Sequence, residues 1–265
     1  MVKVLVLTGY GINCDEETKF AFDKAGAEAE IVHINDLISK KKKLSDYQIL
    51  AFPGGFSYGD DTGSGYAMAN KIRNHLWPQL EEFVNGNNLV IGICNGFQVL
   101  VNLGLLPALN KYGEREVGLI HNDSARYLDR WVDLEFNSEN KSPWIKGITK
   151  LSVPIAHGEG KFVASQDVLL QLKANEQVSA KYVKGAICDY LGFEANPNGS
   201  IEDIASITDK TGKILGLMPH PERAIDVRQM PNYQFEKEKA KRIGKQIDLE
   251  GNGMKIFRNA VEYFK

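Results

Sequence analysis

Between residues 2 and 93 the chain alternates short, wholly apolar runs with longer amphipathic stretches, and this alternation restricts the fold more than any other feature. Residues 2–7, 29–34, 48–52 and 89–93 have the length and β-branched content of buried strands. Residues 15–25 are helix-like, with Phe20, Ala21 and Lys24 spaced by three and four and a stop at Gly26; residues 65–73 and 77–85 read as two further helices. Strands that alternate with helices need crossover connections, which gives an α/β fold: a mostly parallel central sheet with helices on both faces. In such a sheet ligands bind beyond the carboxyl ends of the strands.

The second half has a different texture. Residues 132–136, 179–183, 204–208 and 214–217 read as shorter strands, the last two joined by Asp209, Lys210, Thr211 and Gly212, a turn suited to an antiparallel hairpin. A small antiparallel addition to the parallel sheet follows. Beyond Arg223 comes a polar, Lys-rich stretch that ends in an amphipathic helix over 254–264, with Ile256, Phe257, Ala260 and Tyr263 on one stripe. The expected organisation is one domain over 1–223 and a polar extension over 224–265 packed on it.

A net charge of -2 with interspersed signs offers no field for a phosphate backbone, so nucleic acid is not an expected partner; the Lys40 to Lys43 run reads as a solvated link. No run approaches the roughly 20 apolar residues of a membrane span, and the first residues lead straight into a strand rather than a secretion signal. Cys14, Cys94 and Cys188 are an odd, widely spaced set without a CxxC pair, which speaks against a disulfide framework or structural zinc. A cytoplasmic protein is expected.

Cys94 stands at the end of the fourth strand-like run, in Gly92-Ile93-Cys94-Asn95-Gly96. This G-x-C-x-G pattern is the thiol counterpart of a strand-to-helix nucleophile elbow. Flanking glycines let strand and helix approach closely, and the turn places the sulfur at a helix amino terminus, which favours thiolate. The N–H of Asn95 then points at any oxyanion formed on an attacked carbonyl. A lone buried cysteine would pack as a small hydrophobe; the glycine bracket argues for a nucleophile.

Such a nucleophile needs a base and a group that orients it. Two H-x-E triplets qualify, His157-Gly158-Glu159 and His220-Pro221-Glu222. In an extended segment the carboxylate at i+2 lies on the histidine's side and can accept from Nδ1. Spacing does not choose between them, although the strand-like run before His220 and the prolines beside it favour that one. His33, His75 and His121 read as ordinary loop histidines. Pro53-Gly54-Gly55-Phe56 follows the third strand and either offers backbone N–H groups to a developing anion or is a simple glycine turn. Gly9 to Cys14 nearly matches a dinucleotide fingerprint, with Asp36 near the position of a ribose-binding acid, but Cys14 replaces the third glycine; no G-x-x-x-x-G-K-[ST] cradle is present.

Taken together, GICNGFQVL and MPHPER resemble the class I, triad-type glutamine amidotransferases of flavodoxin-like fold. GINCDEE, PGGFSYGD, PIAHGEGKF and NPNGS, between Lys3 and about Arg223, are similar within that family to the glutaminase subunits of phosphoribosylformylglycinamidine synthase. The resemblance implies Cys94 as nucleophile, His220 as base and Glu222 as its orienting carboxylate. It implies Gly55 and Asn95 as oxyanion donors and Gly54, Phe56 and Gln98 as glutamine contacts. The segment at His157 would shape the pocket or the partner surface. It further implies no metal or cofactor in this chain, ATP and magnesium on a separate synthetase subunit that receives the ammonia, and a small bridging subunit. Where the family commonly reads Tyr-Leu-Arg after GFSYGD, this chain has Asp61, Thr62 and Gly63. Another cysteine amidase of the same fold, or a catalytically idle glutamine-sensing subunit, are the alternatives.

Overall fold

A sheet of nine strands forms the spine of the computed structural model, which describes residues 1–60 and 62–265; Asp61, in the loop where the sequence departs from the family pattern, lies outside the described residues. In chain order the strands are β1 (Lys3–Thr8), β2 (Glu28–His33), β3 (Ile49–Phe52), β4 (Leu89–Ile93), β5 (Val117–Ile120), β6 (Leu128–Phe136), β7 (Lys150–His157), β8 (Lys161–Ala164), β9 (Val178–Val183), β10 (Ile204–Thr208) and β11 (Ile214–Leu217). The helices are α1 (Asp15–Lys24), α2 (Ile34–Ile38), α3 (Tyr66–Asn85), α4 (Asn95–Leu103), α5 (Gln166–Ala174), α6 (Ala186–Leu191), α7 (Tyr233–Arg242) and α8 (Met254–Glu262).

The sheet runs β2-β1-β3-β4-β11-β10-β9-β6-β7. Its first five strands pair in parallel, and β3 and β4 are buried along their whole length, as a strand covered on both faces must be. The Asp209–Gly212 turn reverses the chain into the antiparallel β10–β11 hairpin, from which β9, β6 and β7 continue the same sheet antiparallel. The strand β7, at the sheet's edge, tolerates Pro154 because an edge position need not donate to a neighbour on both sides. The strands β5 and β8 form a separate pair.

Two expectations fail locally. The helices expected over 65–73 and 77–85 are one helix, α3, that runs through Pro78. A proline inside a helix costs ~3 kcal/mol, but Met68, Ala69, Ile72, Leu76, Leu80, Phe83 and Val84 form one continuous buried stripe across it that offsets this cost. In α1 the buried face is Thr18, Ala21 and Phe22, while Phe20 points to solvent. The Phe22 ring meets Phe257 of α8 edge-on at 4.9 Å.

Residues 224–265 divide into two unlike parts. The helix α8 belongs to the core: Met254, Ile256, Phe257, Ala260 and Val261 are buried, and the Asn259 amide donates to the carbonyls of Trp144 and Lys146. Residues 227–249, by contrast, form an exposed excursion carrying α7, which buries none of its residues. Its base is pinched shut by a bridge between Asp226 and Glu250 and a bond from the Val227 N–H to the Leu249 carbonyl.

Candidate active site

Three neighbouring parallel strands, β3, β4 and β11, end on the same edge of the sheet and deliver the groups expected to react. Cys94 follows β4 and caps α4 with φ 51° and ψ -108°, a left-handed conformation that a non-glycine residue occupies only at a cost of order 1–3 kcal/mol. The surrounding packing enforces it. A Cβ at Gly92 would lie 2.7 Å from backbone atoms of Gly96, and one at Gly96 would collide with the Phe52 carbonyl oxygen. Strand and helix therefore meet through the two bracketing glycines, and the cysteine between them is turned out of the sheet. Its sulfur lies 3.7 Å from the Ala156 carbonyl oxygen on β7, and the residue retains 5% of its exposure.

His220 follows β11, and its N–H donates to the Pro154 carbonyl at 2.8 Å, which fixes the backbone of the base against the edge strand. Nδ1 of His220 lies 2.5 Å from Oε1 of Glu222, and both side chains are buried. The expected extended geometry does not produce this pair. Pro221, Glu222 and Arg223 instead form a tight 3-10 turn that folds the carboxylate back under the ring. Nε2 of His220 and Oε2 of Glu222 are buried without a hydrogen-bond partner among the described residues. Burial disfavours charge on the imidazole, but Glu222 and the Cys94 sulfur outweigh it and hold its pKa well above the ordinary histidine value.

The glycine pair after β3 closes the site. A Cβ at Gly54 would stand 2.8 Å from Cε1 of His220 and 3.5 Å from Cβ of Cys94, so the absence of a side chain there is what lets base and nucleophile share one space. Gly55, at φ 148°, faces the first loop, where a Cβ would fall 2.6 Å from the Gly11 carbonyl oxygen. Bonds from Asn13 to the Gly54 carbonyl and from Phe56 to the Gly11 carbonyl staple the two loops together, and the Gly55 N–H has no acceptor among the described residues. Asn95 is the first residue of α4, where a helix leaves its N–H groups free of intrahelical acceptors.

The expected glutamine contacts occupy distinct places. Phe56, 41% exposed, sits at the rim with its ring 6.0 Å from that of Tyr127. Gln98 is buried; its carbonyl accepts from the Asn95 amide at 2.9 Å and its amide donates to the Glu159 carbonyl at 2.5 Å, tying α4 to the loop after β7. The Asn95 amide also reaches Asp60, whose carboxyl is held above its usual range by burial despite the Gly65 N–H that it accepts.

His157, the other candidate base, ends β7 and bonds through Nδ1 to the Asn122 side chain at 3.1 Å, not to Glu159. Burial, reinforced by the nearby His220, pushes its pKa down to about 3, so it is neutral. Glu159 faces Ser64 and His121 instead.

A family model described as a CobB/CobQ-like glutamine amidotransferase domain matches residues 1–264. A subunit PurQ of phosphoribosylformylglycinamidine synthase from Methanococcus maripaludis is 54% identical over 99% of this chain and 97% of its own length; one from Dehalococcoides mccartyi is 43% identical over 99% and 97%. The chain belongs to the CobB/CobQ-like glutamine amidotransferases. The solved structure of PurLQS from Thermotoga maritima superposes with TM-score 0.70 at 31% identity, covering 100% of this chain and 99% of that one. Another Thermotoga maritima glutamine amidotransferase, at 18% identity and TM-score 0.53, shares the fold.

Within this amidotransferase site, one residue escaped sequence reasoning. Cys14 caps the start of α1, its N–H donates to the Gly54 carbonyl, and its sulfur, a ring nitrogen of His220 and a carboxylate oxygen of Glu222 all lie within 4.8 Å of one another. The one signal was its displacement of the third glycine in the near-fingerprint of the first loop.

Proposed function

We propose that this chain is the glutaminase subunit of a phosphoribosylformylglycinamidine synthase, hydrolysing the side-chain amide of glutamine and passing the ammonia to a synthetase subunit in purine biosynthesis. The meeting of Cys94 and His220 beside Gly54, with Glu222 held on His220 Nδ1, carries the reading, together with full-length similarity to PurQ subunits. The Cys94 thiolate attacks the glutamine Cδ, and the resulting oxyanion is held by the N–H groups of Gly55 and Asn95. The imidazolium of His220 protonates the leaving nitrogen, ammonia departs and a glutamyl thioester remains. Neutral His220 then takes a proton from water as it attacks, and the thiolate leaves with glutamate. Glu222 keeps the Nδ1 tautomer fixed throughout.

The solved PurLQS assembly supports a complex with a synthetase and a small bridging subunit. ATP and magnesium belong to the synthetase, and no metal or cofactor is assigned to this chain. No helix of the described residues is long and apolar enough to cross a membrane, and three free cysteines fit a reducing cytoplasm. In the reconstituted complex, a glutamine-analogue alkylator is expected to label Cys94, and Cys94→Ala to end glutamate release while the fold persists. Labelling of Cys188, or retained turnover in the alanine variant, would overturn the reading.

A further inference from the structure

Arg223 is the last residue of the 3-10 turn that carries Glu222, and its guanidinium reaches away from that turn to the start of α1. Nε donates to Oε1 of Glu17 at 3.1 Å, and Nη2 donates to the Cys14 sulfur at 3.0 Å. Cys14 is buried, which pushes its thiol pKa up, and the thiol proton goes to Oδ1 of Asn13, so the sulfur receives Arg223 as a neutral acceptor. The same sulfur lies within 4.8 Å of a ring nitrogen of His220 and a carboxylate oxygen of Glu222, while the Cys14 N–H donates to the Gly54 carbonyl at 3.2 Å. One arginine thus joins the turn beneath the base to the loop that meets the glycine pair.

The other anchors of the turn lie past the dyad. The Ala224 carbonyl accepts from the Gly253 N–H at 2.9 Å, and the Ile225 carbonyl accepts from Nζ of Lys24 at 3.1 Å. The Glu222 carboxylate itself has one hydrogen bond among the described residues, to Nδ1 of His220, and its Oε2 has no partner. A carboxylate held by a single bond takes its place from the backbone that carries it, and Arg223 fixes that backbone from the α1 side. We propose that Arg223 is a positioning residue of the glutaminase reaction: through Glu17 and Cys14 it sets the turn that holds Glu222 under His220 and registers that turn against the Gly54–Gly55 loop. The inference rests on the glutaminase reading. A planar guanidinium donates in two fixed directions at once, whereas a lysine keeps the charge and loses the fork.

A misplacement of about 1 Å in a catalytic unit costs about 10²-fold in rate. In the reconstituted complex, Arg223→Ala is therefore expected to lower kcat about 10²-fold and Arg223→Lys about tenfold, both with KM within about threefold of the unaltered value. Glu17→Gln should lower kcat about three- to tenfold, and added to Arg223→Ala it should cost no more than about twofold further, because its partner is already gone. The pH profile separates position from stability. His220 is faced by Glu222 and Arg223 on its own turn, Cys94 after β4, Cys14 in the first loop, His157 at the end of β7 and Tyr127 ahead of β6. Arg223→Lys preserves the charge, so a Glu222 displaced from Nδ1 favours the imidazolium less, and the alkaline limb of kcat/KM should move to lower pH by about half a unit or more. A role in stability alone leaves that limb in place. Arg223→Lys and Glu17→Gln complexes with kcat within about twofold of the unaltered one, or an unmoved limb in Arg223→Lys, overturn the proposal. Should Arg223→Ala not fold, the lysine and glutamine variants decide. An unaltered complex that releases no glutamate removes the function, and the positioning role with it; normal release in unaltered and altered complexes alike removes the positioning role alone.

Discussion

His157-Gly158-Glu159 and His220-Pro221-Glu222 have the same residue spacing and opposite fates. The first ends an edge strand and runs into a glycine loop, so its histidine turns to Asn122 and its glutamate to Ser64 and His121. The second follows a central strand and enters a proline-led 3-10 turn, which brings carboxylate and ring together at 2.5 Å. Their electrostatics diverge accordingly. Burial without a carboxylate drives His157 down to about 3, whereas Glu222 and Cys94 hold His220 above its ordinary value against the same burial. A dyad is made by the backbone between its members, and two residues with the right interval are only its raw material.

Four measurements can break or sharpen this contrast, all with the reconstituted complex unless stated. His220→Ala should reduce glutaminase kcat by at least about 10⁴-fold, since a lost triad base removes most of what the unit achieves. Glu222→Gln should reduce it by about 10²- to 10⁴-fold with little change in KM, through loss of the correct tautomer. If His157→Gln matched either loss, the contrast would collapse.

That variant should instead show itself in acid. Burial pushes the pKa of folded His157 down to about 3, whereas an unfolded histidine titrates near 6.5. A folded value below the unfolded one gives stability that is complete above pH 6.5 and is lost as pH falls toward 3, by up to about 5 kcal/mol at 1.36 kcal/mol per pH unit. His220, raised in the fold, works in the opposite sense: its contribution is complete below pH 6.5 and is lost as pH rises through its folded value. The denaturant midpoint of the isolated chain should therefore fall as pH drops from about 7 to about 4, and His157→Gln should reduce that fall. Finally, Glu159→Gln should change glutaminase rate by no more than about threefold, because its pairing with the exposed His121 is of the surface kind that contributes under about 1 kcal/mol.

The centre of the parallel half was legible because β3, β4 and β11 are buried along their whole length and read as unbroken apolar runs; β4 and β11 fall where the sequence places them, as does β10 of the antiparallel hairpin. The half that was harder to read is antiparallel. In β6, Leu128, Asp129, Arg130 and Trp131 are only partly buried or exposed, and the charged pair Asp129–Arg130 breaks the apolar run over the first four of its nine residues. The single helix through Pro78 was hidden because a proline ordinarily ends a helix, and only the tertiary stripe beneath it reveals that the cost is met. At the site, Cys94, His220 and Glu222 were legible through spacing and resemblance. Cys14 was not, since nothing local in residues 9–14 tells that a loop 200 residues earlier folds against the histidine; only the pairing of the first loop with Gly54 does.

The delivery of nucleophile and base by neighbouring strands has a consequence in the life of the chain. While the polypeptide emerges from the ribosome, Cys94 exists long before His220 has been synthesised, and its partner arrives only when β11 docks beside β4. A nascent or truncated chain thus carries an unassisted thiol, and reactivity switches on with the last parallel strand. Ammonia release is in this sense a certificate that the sheet has closed in register.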